Sequence, residues 1–137
     1  MTERSLLLIK PNATRKKHIG EIITIIEQSG FDILKIKSFR FDLPLAHQFY
    51  REHIGKEFFE RLVTFMTSGM TVALLVEKDN AVPELRTLVG DTYPEKRKPG
   101  TIRALFADSV TENAVHASDT HDHALHEIGL IFPESLN

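Results

Sequence analysis

The chain has 137 residues, 42% hydrophobic and 26% charged, which suits one globular domain with a core large enough to fold without staples. Its formal charge of −2 gives no general attraction for nucleic acid, so an anionic ligand needs a local cluster of cations. There is no cysteine, which excludes disulfides and thiolate metal sites; no apolar run nears the ~20 residues of a membrane span and no signal-like segment opens the chain, so a cytoplasmic protein without membrane contact is expected.

Leu6-Leu7-Leu8-Ile9 is a continuous apolar run, suited to a strand buried on both faces. Lys10-Pro11 ends it, because proline cannot continue a ladder, and leaves Lys10 at the exit of a central strand. From His18 to Gly30, Ile19, Ile22, Ile23 and Ile26 follow helical spacing, with Gly30 as the stop. Phe31 to Phe41 reads as a strand whose apolar phase slips. Leu34 and Ile36 alternate with Lys35 and Lys37, then Phe39 and Phe41 take over, which predicts a bulge or an edge strand. Asp42 caps a helix through about His53, with Leu45, Phe49 and Tyr50 as its apolar residues. A second short helix carries Phe58, Phe59, Leu62, Val63 and Met66 and stops near Gly69, completing a helical hairpin.

Thr71 to Val76 is a second fully apolar strand for the sheet centre. Asn80 caps a helix with Val82, Leu85 and Val89 on one face, closed by Gly90. The loop Asp91 to Gly100 is polar, its Lys96-Arg97-Lys98 run reads as a solvated face, and Thr101 to Asp108 is compact. Ala114-Val115 forms a short strand that delivers His116. Ser118, Asp119 and Thr120 are all competent caps for a last helix from about His121, holding Ala124, Ile128 and Ile131. The tail Pro133 to Asn137 reads as peripheral. The order β-α-β-(α-α)-β-α-β-α predicts the α+β class. It is a ferredoxin-like split βαβ fold: a four-stranded antiparallel sheet, helices on one face, an inserted helical hairpin and a C-terminal helix.

His116 lies just upstream of a helix N-terminus, where free N–H groups and the helix dipole favour anions. A mostly neutral imidazole there can act as base, ligand or nucleophile. The stretch Asn113-Ala-Val-His116-Ala117-Ser118-Asp119 follows Lys10-Pro11 and Pro99-Gly100-Thr101-Ile102-Arg103. Together these resemble the nucleoside diphosphate kinases, from about Glu3 to Phe132 and without a large insertion. The resemblance implies one such domain over 1–137 and transfer of the γ-phosphate of a nucleoside triphosphate to a nucleoside diphosphate. Transfer would run through a phosphohistidine on His116, with ping-pong order and broad base specificity. It implies that Arg86, Thr92 and Arg103 hold the phosphates, and that Lys10 and Asn113 bind the sugar hydroxyls. Tyr50 would lie near the phosphohistidine, with Ser118 and Glu127 orienting the imidazole. Phe58 would stack on the base, Leu62 and Val110 completing an apolar slot. Mg²⁺ is expected to arrive on the nucleotide phosphates rather than in a carboxylate cage. The implied partners are ATP and other nucleoside tri- and diphosphates, and a second copy of the chain. The family implies a dimer-based tetramer or hexamer, with the Phe31–Phe41 strand as candidate dimer edge.

Four positions depart from the family's usual pattern. Ala117 stands where glycine usually follows the histidine, which would cost ~1 kcal/mol or more if its φ were positive. Ala104-Leu105 replaces a common Gly-Asp, Asn12 a frequent aspartate whose capping ability it keeps, and Met70 a proline. Two other readings compete. His116, His121, His123 and His126 admit a histidine-rich metal-binding module on a ferredoxin-like fold, although His123 and His126 are spaced i, i+3 rather than i, i+4. A single-stranded RNA binder would need aromatics on the central strands, and Leu6–Ile9 and Val72–Val76 have none.

Overall fold

A computed structural model describes residues 2–136, the Leu136 side chain excepted, so Asn137 and its place in the expected tail lie outside the described residues. The first apolar run becomes β1 (Thr2–Ile9), in which Leu6, Leu7, Leu8 and Ile9 are all fully buried. Lys10 then stands at the N-cap position of a short helix, α1 (Pro11–Arg15), without a side-chain capping bond, and proline sits in the first turn where a missing N–H costs nothing. The isoleucine-rich segment is α2 (Ile19–Gln28), burying Ile22 and Ile26. β2 (Asp32–Arg40) follows, then α3 (Leu43–Phe49), a 3₁₀ turn at Arg51–His53 and α4 (Phe59–Met66), which form the expected hairpin. β3 (Met70–Asp79) leads to α5 (Ala81–Val89), a 3₁₀ turn at Pro94–Lys96 and α6 (Ile102–Phe106). β4 (Val115–Ala117) and α7 (His121–Ile131) precede a last 3₁₀ turn at Pro133–Leu136.

The four strands form one sheet in the order β2-β3-β1-β4, and every neighbouring pair is antiparallel. The expectation of helices on one face is corrected: they cover both. Alternation along β1 sends Leu6 and Leu8 to a cluster with Phe41, Phe49, Val63, Met66 and Ile128, under α3, α4 and α7. Leu7 and Ile9 enter a second cluster with Ala13, Ile22, Ile26, Leu85 and Val89, under α1, α2 and α5. Four consecutive apolar residues can all be buried only when both faces are covered, at roughly 2 kcal/mol for each such side chain.

The phase slip in β2 is a bulge between Ile33 and Lys35, and the strand is an edge that pairs only with β3. Leu34 and Ile36 remain 40% and 59% exposed there. Three local expectations fail for identifiable reasons. Asn80 sits at the N-cap of α5 in a left-handed conformation, but its side chain does not cap; a Glu3 carboxylate oxygen from β1 accepts from Val82 N–H instead (2.8 Å). Asn12 is inside α1 and is no cap either. Its Nδ2 donates to Asp108 Oδ2 (2.8 Å) and to the Glu112 carbonyl (2.9 Å), tying α1 to the segment before β4. Arg97 is not a solvated loop residue: it donates to the carbonyls of Asp91, Thr92 and Ser109 and pins the two loops together. Among the described residues no helix is long and apolar enough to cross a membrane.

Candidate active site

His116 lies mid-way along β4, opposite Leu8 of β1. The period of two along a strand turns Val115 and Ala117 into the core on one side and His116 towards α3, α4 and α7 on the other. Its ring meets Phe49 and Tyr50 edge-on, with centroids 5.1 and 6.2 Å away. From the sequence Phe49 is expected only as an apolar helix residue. Lys10 follows Ile9 out of β1 beside it, and its N–H donates to the Ala114 carbonyl (2.8 Å).

Positive φ occurs at Ala114 (76°) and not at Ala117, which is extended, buried and paired with Leu7, so the strain anticipated at Ala117 is absent. Val115 N–H donates to the Asn113 carbonyl (3.0 Å) across Ala114, closing a three-residue γ-turn of the rarer, strained form. That turn fixes Asn113 relative to His116. Asn113 is buried, its Oδ1 accepts from Lys10 Nζ (2.9 Å), and its Nδ2 donates to the Val110 carbonyl.

One side of the imidazole is committed. His116 Nε2 lies 2.8 Å from Glu127 Oε1 on α7, and the same oxygen accepts from Ser118 Oγ (2.6 Å). Burial alone would raise the Glu127 carboxyl, but the His116 charge and the hydrogen bonds from His116 and Ser118 bring it below its ordinary range. Glu127 is therefore an anion that only accepts, Nε2 carries the proton it donates, and the Nδ1 lone pair is left open. α7 itself begins at Thr120, whose hydroxyl accepts from His123 N–H (3.0 Å); Ser118 and Asp119 do other work.

The cations converge from distant elements. Arg103, on α6, is 4% exposed; its guanidinium donates to the carbonyls of Gly90 and Val115 (both 3.0 Å) and to Thr92 Oγ1 (3.4 Å). Its Nε has no partner among the described residues. Burial and the nearby Arg86 and Arg97 lower its pKa to about 10. Arg86, on α5, donates to the Ala117 carbonyl (3.3 Å). Burial, and then Arg103, lowers Lys10 to about 7. Tyr50 keeps a buried hydroxyl without a partner among the described residues, and burial followed by Glu127 raises its pKa. Gly90 has to be glycine: its φ is +90°, and a Cβ there would meet Thr101 Oγ1 at 2.5 Å. Thr101 is the N-cap of α6, its hydroxyl accepting from Ala104 N–H.

All of the anticipated site residues except Ser118 line one cleft of about 670 Å³. Ser118 lies behind it, fully buried against Glu127. At the outer end Phe58, Leu62 and Val110 form an apolar wall, with Phe58 and Val110 37% and 42% exposed. The histidine-rich metal-binding reading finds no support. Among the described residues no three His, Cys, Asp or Glu could hold a metal ion. His123 instead pairs through Nδ1 with Asp119 and through Nε2 with Glu52 (2.5 Å), bridging α7 to the turn after α3. His121 faces Glu3 at 3.8 Å, and His126 Nε2 lies 3.5 Å from the Gln48 carbonyl.

Comparison with known proteins identifies the family. The family model described as nucleoside diphosphate kinase matches residues 3–136. The nucleoside diphosphate kinase of Methanocaldococcus jannaschii is 44% identical over 134 residues, covering 98% of this chain and 96% of that one. The one from Actinobacillus pleuropneumoniae is 46% identical over 132 residues, or 96% of each chain. Among solved structures, the Aquifex aeolicus enzyme superposes with a TM-score of 0.93 at 40% identity, covering 96% of each chain. A Halobacterium salinarum nucleoside diphosphate kinase in complex with CDP superposes with a TM-score of 0.92 at 36% identity, covering 96% of this chain and 88% of that one. With its fold, its histidine strand and nearly its whole length matched, the chain belongs to the nucleoside diphosphate kinase family.

Proposed function

We propose that this protein transfers the γ-phosphate of ATP or another nucleoside triphosphate to a nucleoside diphosphate, with His116 as the covalent carrier. The observation that carries the reading is the imidazole held at Nε2 by the Glu127 carboxylate, with Nδ1 free in a cleft lined by Lys10, Arg86 and Arg103. In the first half-reaction Nδ1 attacks the γ-phosphorus, an N–P bond forms, and the bond to the β,γ-bridging oxygen breaks to release the diphosphate. The Nε2 proton stays on the ring, and Glu127 balances the positive charge the ring acquires. In the second half a β-phosphate oxygen of a new diphosphate attacks the same phosphorus and the N–P bond breaks. One pocket serves donor and acceptor in turn, so the order is ping-pong.

Arg86, Arg103 and the Thr92 hydroxyl would hold the phosphates, and the Tyr50 O–H, neutral and without a partner, would donate to the transferring group. Lys10 and Asn113, already joined by a hydrogen bond, would take the sugar hydroxyls. Ser118 positions Glu127 and does not touch the nucleotide. Phe58 would stack on the base opposite Val110, with Leu62 beneath. Stacking uses the π-face that every base has, so base discrimination is weak. The cleft's cations suit phosphate and offer no carboxylate cage, so Mg²⁺ would be held by phosphate and water oxygens and would supply charge neutralisation when bound. The single domain would work in the cytoplasm as a dimer-based homo-oligomer, with the exposed Leu34 and Ile36 of β2 as candidate contacts. A monomeric mass at micromolar concentration would reject that assembly.

The test uses the His116→Ala variant and labelled ATP. The wild-type chain given ATP alone should become labelled in an acid-labile, base-stable way, and double-reciprocal plots against a second diphosphate should be parallel. His116→Ala should lose both label and turnover while nucleotide affinity stays within about tenfold, because the nucleophile contributes to the covalent step and little to ground-state binding. Intersecting lines with no trappable phosphoenzyme would mean direct transfer in a ternary complex.

A further inference from the structure

Arg61 is set apart from the cations at the phosphate end. It sits on α4 one turn beyond Phe58, beside Leu62 and one turn before Phe65, so these residues form one stripe at i, i+3, i+4 and i+7. It is exposed and makes no hydrogen bond or ion pair among the described residues. It lines the main cleft, and it also lines a second cavity of about 370 Å³ with Phe65, Ser109, Val110, Thr111 and Glu112. Arg61, Val110 and Thr111 belong to both cavities, whereas Arg86, Thr92, Arg103 and His116 belong only to the first. The second cavity therefore continues the cleft outward past Phe58 and Val110, and Arg61 stands at the junction.

We propose that Arg61 reads the outer edge of the base and biases the site towards 6-oxopurines, guanine and hypoxanthine. The inference rests on the base slot of the preceding section. With the phosphates anchored at the inner end, the base projects outward between Phe58 and Val110. A purine, one ring longer than a pyrimidine, reaches the Arg61 end. A guanidinium only donates, and its planar fork matches two adjacent acceptors. Guanine and hypoxanthine present O6 and N7 side by side; adenine replaces O6 with an amino donor, and pyrimidines stop short. An exposed cation without a partner can turn to meet such an edge without breaking an existing pair.

The experiment is equilibrium titration of the full chain with GDP, IDP, ADP and CDP, for wild type, Arg61→Ala, Arg61→Lys and Phe58→Ala. Wild type should bind GDP and IDP more tightly than ADP and CDP. Arg61→Ala should reduce the ADP-to-GDP ratio of dissociation constants by about tenfold, as for one bidentate donor pair, with IDP tracking GDP. Arg61→Lys should lose most of the same ratio, since an ammonium presents no fork. Equal weakening of all four nucleotides in Arg61→Ala would make it a general anion attractor and overturn the proposal, as would an unchanged ratio or a ratio kept by lysine. Phe58→Ala reports on the slot separately. A loss for all four nucleotides there with an unmoved Arg61 ratio rejects Arg61 alone, whereas no loss in Phe58→Ala rejects the slot beneath it.

Discussion

Lys10 is buried beside Arg103 and donates to Asn113, and its pKa falls to about 7, so it is largely neutral in alkaline solution. A bound nucleotide brings phosphate charge into the cleft and restores the ordinary lysine preference for the proton. The sign follows: between the free-protein value and about 10.4, binding takes up a proton. Calorimetric titration with ADP at about pH 8, in buffers of different ionisation enthalpy, should show uptake approaching one proton, and Lys10→Met should abolish it. Uptake unchanged in Lys10→Met would mean that another group titrates. In the nucleotide-free chain the same depressed value makes folding less favourable as pH falls from the unfolded lysine pKa towards 7. The unfolded chain then binds a proton that the folded one refuses. At this scale the family resemblance had grouped His116, Ser118 and Glu127, and the structure brings these three side chains into contact. The place of Phe49 beside them was not legible, since an aromatic at helical spacing carries the same signal whether it packs against leucine or against the His116 ring.

The element that sets the cation geometry is the turn from α5 into the following loop. Gly90 closes α5 with φ +90°, its carbonyl accepts from Arg103, and its missing Cβ makes room for the Thr101 hydroxyl that caps α6. Gly90→Ala should therefore cost both left-handed strain and a clash, together about 2 kcal/mol or more. It should also raise KM for nucleotides through the displaced Arg103. Urea unfolding and steady-state kinetics on the variant check both, and a loss of stability with KM unchanged would separate Arg103 from this turn. The element order was readable from periodicity and stops, including the hairpin and the faulted β2, but α1 and α6 were not, β1 and β3 extend beyond their apolar runs, and α3 ends at Phe49. Contacts between elements were not readable. Glu3 rather than Asn80 caps α5, Asn12 clamps Asp108, and Arg97 binds two loops, because each depends on a partner 5 to 96 residues away. The γ-turn at Ala114 left no trace either. A glycine would have announced the positive φ, and alanine does not.

On the scale of the molecule, a chain of net charge −2 gathers Lys10, Arg86 and Arg103 into one cleft, so its attraction for anions is local. Helices cover both faces of the sheet: the β1 run pointed to double burial, but which helices supply the second layer is decided only when the whole chain packs. That doubly covered strand has a kinetic corollary. β1 and β3 belong to both hydrophobic clusters, whereas α3 and α4, which lead into Tyr50 and from Phe58, belong to one. Opening the hairpin exposes one cluster and leaves the other closed around Leu7, Ile9, Val72 and Leu74. In native-state hydrogen exchange, backbone amides of Leu6–Ile9 and Val72–Val76 should exchange only through global unfolding, with the hairpin amides released earlier at lower denaturant. Identical exchange free energies for hairpin and β1 would show a single cooperative unit. If they separate, the apolar wall at Phe58 and Leu62 can breathe while Lys10, tethered to the last strand to open, keeps its place.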